Sequence, residues 1–196
     1  MSGGDGGEEL PGRRVLVNSG VATFDDGPEH RRQRGTPAHN TVTLDDRDSS
    51  EVWGADRAGL RAAPFGLWTE TGGEALKVIC SHDGYRRLPG KPVHRRRWCL
   101  GRREFKVTDM VVGPFRSARA RFHFHPDVRL GVDGDAYAAA LGDGQRLRVT
   151  VRGGTPVMGQ GLPRAKSNGV PRNLGAASCQ RLITSAATSC RCSAGG

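Results

Sequence analysis

The chain has 196 residues, 36% of them apolar and 6% aromatic, with 29 glycines and 11 prolines. That suffices for one domain with a core, but is thin for a chain packed from end to end. Thirty Lys and Arg against twenty Asp and Glu give a net charge of +10, which favours anionic partners such as nucleic acid, acidic polysaccharide or anionic lipid. No apolar run approaches the roughly 20 residues of a membrane-spanning helix, so no span is expected. No signal-peptide pattern stands at the start.

In chain order, residues 1–12 are rich in Gly and acids and read as a flexible lead-in. Short β-like runs follow at Val15–Val17 and Val21–Phe24, flanking the turn-like Asn18-Ser19-Gly20. Val42 and Leu44 share one face of the next run, and Ala75–Cys80 is another. Arg95–Leu100 and Phe105–Val112 flank Gly101-Arg102-Arg103-Glu104, a hairpin signal, and Tyr137–Leu141 and Arg146–Arg152 flank a second one at 142–145. The clearest alternation is Ala118–His125: Ala118, Ala120, Phe122 and Phe124 face one way, and Arg119, Arg121, His123 and His125 the other. It predicts a strand with one buried and one solvated side. No helical period exceeds about two turns, and eight or nine short strands with turn punctuation argue an all-β antiparallel sandwich or barrel.

After Pro156 the pattern stops. Residues 157–196 contain no Asp, Glu, Phe, Trp or Tyr, and five basic residues; they read as a largely disordered tail. Cys80, Cys99, Cys179, Cys190 and Cys192 are odd in number and form no CxxC pair, which argues against a zinc ribbon or a closed disulfide framework.

Three groups of residues can carry chemistry. His39-Asn40 stands at a strand entry, and either caps the turn through backbone hydrogen bonds or belongs to a ligand site. His123 and His125 point to one strand face, either as a metal-binding pair or, beside Arg119 and Arg121, as a solvated basic face. His94-Arg95-Arg96-Arg97 is a basic cluster suited to carboxylates or sulfates, or an ordinary exposed strand edge. No GxSxG, P-loop or HExxH motif appears, and no nucleic-acid-binding motif, so no specific nucleic-acid partner is expected.

Taken together, Val15-Leu16-Val17-Asn18-Ser19-Gly20, Gly27-Pro28-Glu29, Arg34-Gly35-Thr36-Pro37-Ala38-His39-Asn40-Thr41-Val42 and Asp48-Ser49-Ser50-Glu51-Val52-Trp53-Gly54 resemble one family. His82-Asp83-Gly84-Tyr85, Val93-His94-Arg95-Arg96 and Arg121-Phe122-His123-Phe124-His125-Pro126 continue the pattern. The resemblance is to the C-terminal β-sandwich domain of the heparinase II/III-like polysaccharide lyases and covers roughly residues 13–152. It implies an antiparallel β-sandwich, placed over residues 13–156, ahead of the tail that composition reads as disordered. It also implies a parent enzyme, periplasmic or exported, that adds an α/α-toroid and cleaves uronate-containing polysaccharide by β-elimination. The acid and base, typically Tyr and His, lie mostly on the toroid side, so this portion is expected to be inactive alone; the alternative is a non-catalytic module that binds anionic glycans.

The family often carries a structural zinc. The resemblance assigns one ligand to His39 and another to Asn18, which stands where the pattern has Asp. An amide is a weaker zinc ligand than a carboxylate, so little zinc binding by this chain is expected. Arg34 and Asn40 are the neighbours implied to touch an acidic sugar. The residues after 156 depart from the pattern, and their joint loss of acids and aromatics suggests a shifted reading frame.

Overall fold

The computed structural model describes residues 9–10, 13–20, 27–54, 57–142, 144–163, 173–181 and 186–194. The strands are β1 (Glu9–Leu10), β2 (Arg13–Arg14), β3 (Val42–Leu44), β4 (Pro64–Glu70), β5 (Ala75–His82), β6 (Val93–Gly101), β7 (Glu104–Val112), β8 (Ala118–Phe124), β9 (Arg129–Asp133), β10 (Ala136–Ala140), β11 (Arg146–Arg152), β12 (Thr155–Pro163), β13 (Asn173–Arg181) and β14 (Ala186–Ala194). One short helix, α1 (Pro28–Arg34), and a 3-10 turn at Thr36–Ala38 precede β3. No described helix is long and apolar enough to cross a membrane.

The fold is all-β and antiparallel. An eight-stranded sheet runs β4-β5-β6-β7-β14-β11-β10-β9, and a four-stranded sheet runs β12-β13-β8-β3. Both expected hairpins form, β6 with β7 and β10 with β11. The core lies between the sheets. Phe122 and Phe124 on β8 and Leu44 on β3 meet Val107 and Val111 on β7 and Leu147 and Val149 on β11, all buried. The inward positions alternate along each strand, as period-2 geometry requires.

Two strands that escaped the sequence pattern, β4 and β9, lie at the rims of the large sheet. β4 starts at Pro64, places Gly66 at positive φ and shifts register between Phe65 and Trp68. Proline is tolerated at the first residue of an edge strand, and the positive φ suits glycine. β9 forms the opposite edge and is exposed at four of its five positions.

Three findings differ from the sequence expectations. First, residues 157–196 read as disordered, yet their described part carries most of β12 and all of β13 and β14. β14 pairs with β7 on one side and β11 on the other, and β13 pairs with β12 and β8. Their small residues leave no apolar alternation to detect; the neighbouring ladders supply the backbone partners instead. Second, the outward face of β8 is solvated only in part: Arg119, Arg121 and His125 are half-buried, and His123 is 1% exposed, with Nε2 donating to the Pro37 carbonyl at 2.9 Å. Third, 94–97 is no exposed edge: β6 lies between β5 and β7, so His94 and Arg96 turn inward and only Arg95 and Arg97 face solvent. Val21–Phe24 lies outside the described residues.

Candidate functional site

The site grows out of a break in the edge of β8. Val42–Leu44 pairs with Ala118–Ala120 at one end of that edge. At the other end Leu16 bridges Phe124, with Val17 N–H donating to the His123 carbonyl and His125 N–H to the Val15 carbonyl. Between them the ladder is spliced by the turn before β3. Arg121 N–H donates to the Thr41 carbonyl at 3.0 Å, His123 N–H to Asn40 Oδ1 at 2.6 Å, and Asn40 Nδ2 to the Val17 carbonyl at 3.3 Å. The Asn40 amide thus substitutes for a missing stretch of backbone.

Above the splice is a recess of about 290 Å³, lined by Leu16, Asn18, His39, Asn40, Arg96, Trp98, Val107 and Phe122. Asn18 is exposed and His39 half-buried. Burial pushes the His39 ring below its ordinary pKa, against the opposing pull of its hydrogen bond to the Arg34 backbone and of the Asp48 charge. Arg34 does not line the recess; its Nη1 donates to the Gly54 carbonyl at 2.9 Å. The structure therefore brings Asn18, His39 and Asn40 together and sends the Arg34 side chain to a neighbouring loop.

Beneath the recess lies a polar row that sequence reasoning missed. Asp109 on β7 accepts from Arg96 Nε at 2.6 Å and Nη2 at 2.9 Å, a bidentate fork. Arg96 Nη1 donates to the Asn40 carbonyl, tying the large sheet to the splice. The guanidinium lies 6.0 Å from the Trp98 ring and 5.7 Å from the Phe122 ring. Asp109 also accepts from His94 Nε2 at 2.7 Å. Burial alone would raise the Asp109 pKa, but the Arg96 charge and the His94 hydrogen bond outweigh it and hold the carboxyl below the ordinary range.

The hydrogen bonds fix the tautomers. Gly84 N–H donates to His82 Nδ1 at 3.3 Å, so His82 carries its proton on Nε2. That proton goes to His94 Nδ1 at 2.9 Å, leaving the His94 proton on Nε2 for Asp109. Burial, then the proximity of His94, push His82 down to about 4. A signal was present in the sequence: Val107, Asp109 and Val111 share one strand face, and a lone acid on an apolar face needs a buried partner.

Residues 10–190 match the family described as Heparinase II/III-like, C-terminal. The chain belongs to this family. The match takes in most of the 157–196 segment that had read as a departure from the pattern. Solved structures agree on the fold of the heparinase II/III-like domain. A heparinase III solved with methylated lysines has a TM-score of 0.74 at 15% identity, over 95% of this chain and 29% of that one. The heparan sulfate lyase HepC from Pedobacter heparinus gives 0.71 at 16% identity, over 94% and 29%. A further heparinase III gives 0.68 at 15%, over 93% and 28%. The chain thus spans less than a third of the length of these enzymes. No curated protein sequence matches it.

The two residues that the resemblance implies as zinc ligands, His39 and Asn18, both line the recess of this heparinase II/III-like domain. No three His, Cys, Asp or Glu side chains converge among the described residues. The described residues therefore do not make up a zinc site by themselves. Tyr85 is fully buried and its hydroxyl donates to the Val42 carbonyl at 2.6 Å. Burial raises its pKa, and the hydrogen bond braces β3.

Proposed function

We propose that this domain forms one wall of the substrate cleft in a lyase that cleaves uronate-containing polysaccharide by β-elimination. In that reaction a base removes the proton beside the carboxylate, the electron pair forms a carbon–carbon double bond, and an acid protonates the departing glycosidic oxygen. The observation that carries the reading is the recess itself, where His39, Asn18 and Asn40 gather over a fully engaged Arg96, in a chain of this family. One His39 nitrogen bonds the Arg34 backbone; in the neutral ring the other keeps a lone pair that can take a proton or a ligand.

Nothing in the recess completes an acid–base pair, so on this reading the chain binds substrate without turning it over. The remaining catalytic groups would come from a toroid domain on the parent enzyme. The competing picture, a module that grips anionic glycan through 94–97 and the Arg/His face at 119–125, loses His94, Arg96 and His123 to the interior and keeps Arg95, Arg97 and the half-buried Arg119 and Arg121.

The test is binding of the purified chain to alginate, heparin and single-stranded DNA at two salt concentrations, with absorbance followed for the unsaturated uronate product. Selective uronate binding that survives salt, weakened several-fold by His39→Ala and without an absorbance rise, is the expected result. Equal, steeply salt-dependent binding to all three would mean that charge alone makes the contacts.

A further inference from the structure

We propose that the groove at the Asp45 end of β3 is a second saccharide site, with the Trp53 indole as its stacking platform. The proposal rests on the polysaccharide reading above and extends it to a sparsely charged sugar. Asn40 precedes β3 and Asp45 follows it, so the groove and the His39 recess lie at opposite ends of that strand. The groove has a volume of about 1060 Å³ and is lined by Asp46, Glu51, Trp53, Arg87 and Arg116, among others.

Trp53 is 67% exposed. A single exposed apolar side chain needs no explanation by itself, but this one is held in place. Trp53 N–H donates to the Arg57 carbonyl at 3.0 Å, Glu51 N–H to the Leu60 carbonyl at 2.9 Å, and Gly59 N–H to the Glu51 carbonyl at 3.0 Å. Glu51 Oε2 accepts from Leu60 N–H at 3.2 Å, and Arg34 fastens the Gly54 carbonyl from α1. Gly59 seats the ring: a Cβ there would stand 2.6 Å from Trp53 Cζ2. The indole is therefore a preorganised surface, and rigid aromatics stack at low entropic cost.

The polar groups around it set the ligand class. Carboxylates of Asp46 and Glu51 can accept from sugar hydroxyls, and the exposed Arg116 can donate to hydroxyls or to one carboxylate. Four acids and three arginines line the groove. That near-balance repels a densely sulfated chain or a phosphate backbone, and seven charged side chains set among apolar ones suit neither lipid nor an apolar protein surface. A pyranose meets both demands, with its C–H face on the indole and its hydroxyls on the carboxylates. The fitting class is a glycan carrying no charge or one carboxylate per disaccharide.

The test titrates the full chain with hyaluronan hexasaccharide, heparin hexasaccharide and uncharged cellohexaose, by calorimetry and ligand-observed NMR. Trp53→Ala should weaken hyaluronan binding about tenfold. Trp53→Phe should retain most of it, and Leu67→Ala, another exposed side chain, should change nothing. Heparin binding should not depend on Trp53. Hyaluronan binding left intact by Trp53→Ala overturns the groove while the lyase-wall reading stands. Trp53-dependent binding of cellohexaose alone keeps the groove but sinks the acidic-polysaccharide reading. Failure to bind hyaluronan and cellohexaose overturns the groove, and failure to bind heparin as well overturns both.

Discussion

Two regions between the sheets fill the same gap with opposite chemistry. Around Leu44, Phe124 and Val149 the filling is apolar, and none of the three is more than 1% exposed. Toward β5 the inward positions are His82, His94, Arg96 and Asp109. Apolar burial stabilises without direction, at about 1.5–3 kcal/mol per large side chain, and tolerates volume-conserving exchange. A buried ionic row contributes little net stability, because desolvation offsets its attraction, but it must be complete. The apolar region therefore supplies stability. The polar row supplies geometry, and through Arg96 and the Asn40 carbonyl it carries that geometry to the His39 turn.

The largest effect should follow from breaking the row at its centre. Asp109→Ala leaves Arg96 and His94 buried without their acceptor and should cost about 3–5 kcal/mol, enough to make a domain of ordinary stability marginal. Phe124→Ala should cost about as much, through its cavity. The two losses differ in how they are repaired. Replacing the pair together, Arg96→Met with Asp109→Leu, should recover most of the stability lost in Asp109→Ala. It should also release the Asn40 carbonyl and speed hydrogen exchange at the His123 amide that Asn40 holds. Denaturant titration and exchange on the three variants decide the matter. A double variant as unstable as Asp109→Ala would show that the row is not a self-contained unit.

The same contrast should appear as a pH dependence. His82 sits at about 4 in the folded chain, against about 6.5 when unfolded. Between those values the unfolded chain binds the proton first, so stability rises with pH from about 4 to 6.5 and is level above. The contribution reaches at most about 3 kcal/mol, and less where solvent screens the ring. His39 and His123 are shifted the same way by burial and add to the slope. Asp109 is depressed, so its contribution persists above the ordinary carboxylate value and is lost only as pH falls through its lowered one, below the window of the histidines. His82→Asn should flatten the curve between pH 4 and 6.5, whereas Phe124→Ala should lower it without changing its slope. Unchanged slopes in both variants would remove His82 from the account.

What could be read in advance follows the same division. The interior strands β8, β7 and β11 announce themselves, because apolar residues recur at alternate positions along the face that packs between the sheets. β4 and β9 are exposed along most of their length, so no face of theirs was selected to be apolar. β13 and β14 take their place from neighbouring ladders, and backbone pairing leaves little trace in small residues. At the site, the motif order pointed to Asn18, His39 and Asn40, which share one recess. The partnership of Arg96 with Asp109 was hidden because Arg95 and Arg97 flank Arg96 and make the run look like surface. Spacing alone does not say that β6 has a strand on each side.

The smallest effect comes from an ion pair at nearly the same distance, with one contact instead of a fork, in a different medium. Arg148 Nη2 donates to Asp135 Oδ1 at 2.8 Å, within the range of the Arg96–Asp109 contacts. Its partners, however, have side chains 47% and 89% exposed, where water and salt screen the attraction and both groups keep their hydration. Asp133 stands 4.0 Å from the same guanidinium and can take over the contact. Asp135→Ala should therefore shift stability by no more than about 0.5 kcal/mol, and any shift should vanish at high salt. A loss comparable to that of Asp109→Ala would mean that contact distance, not burial, sets the worth of these pairs, and the distinction between the two regions would fall with it.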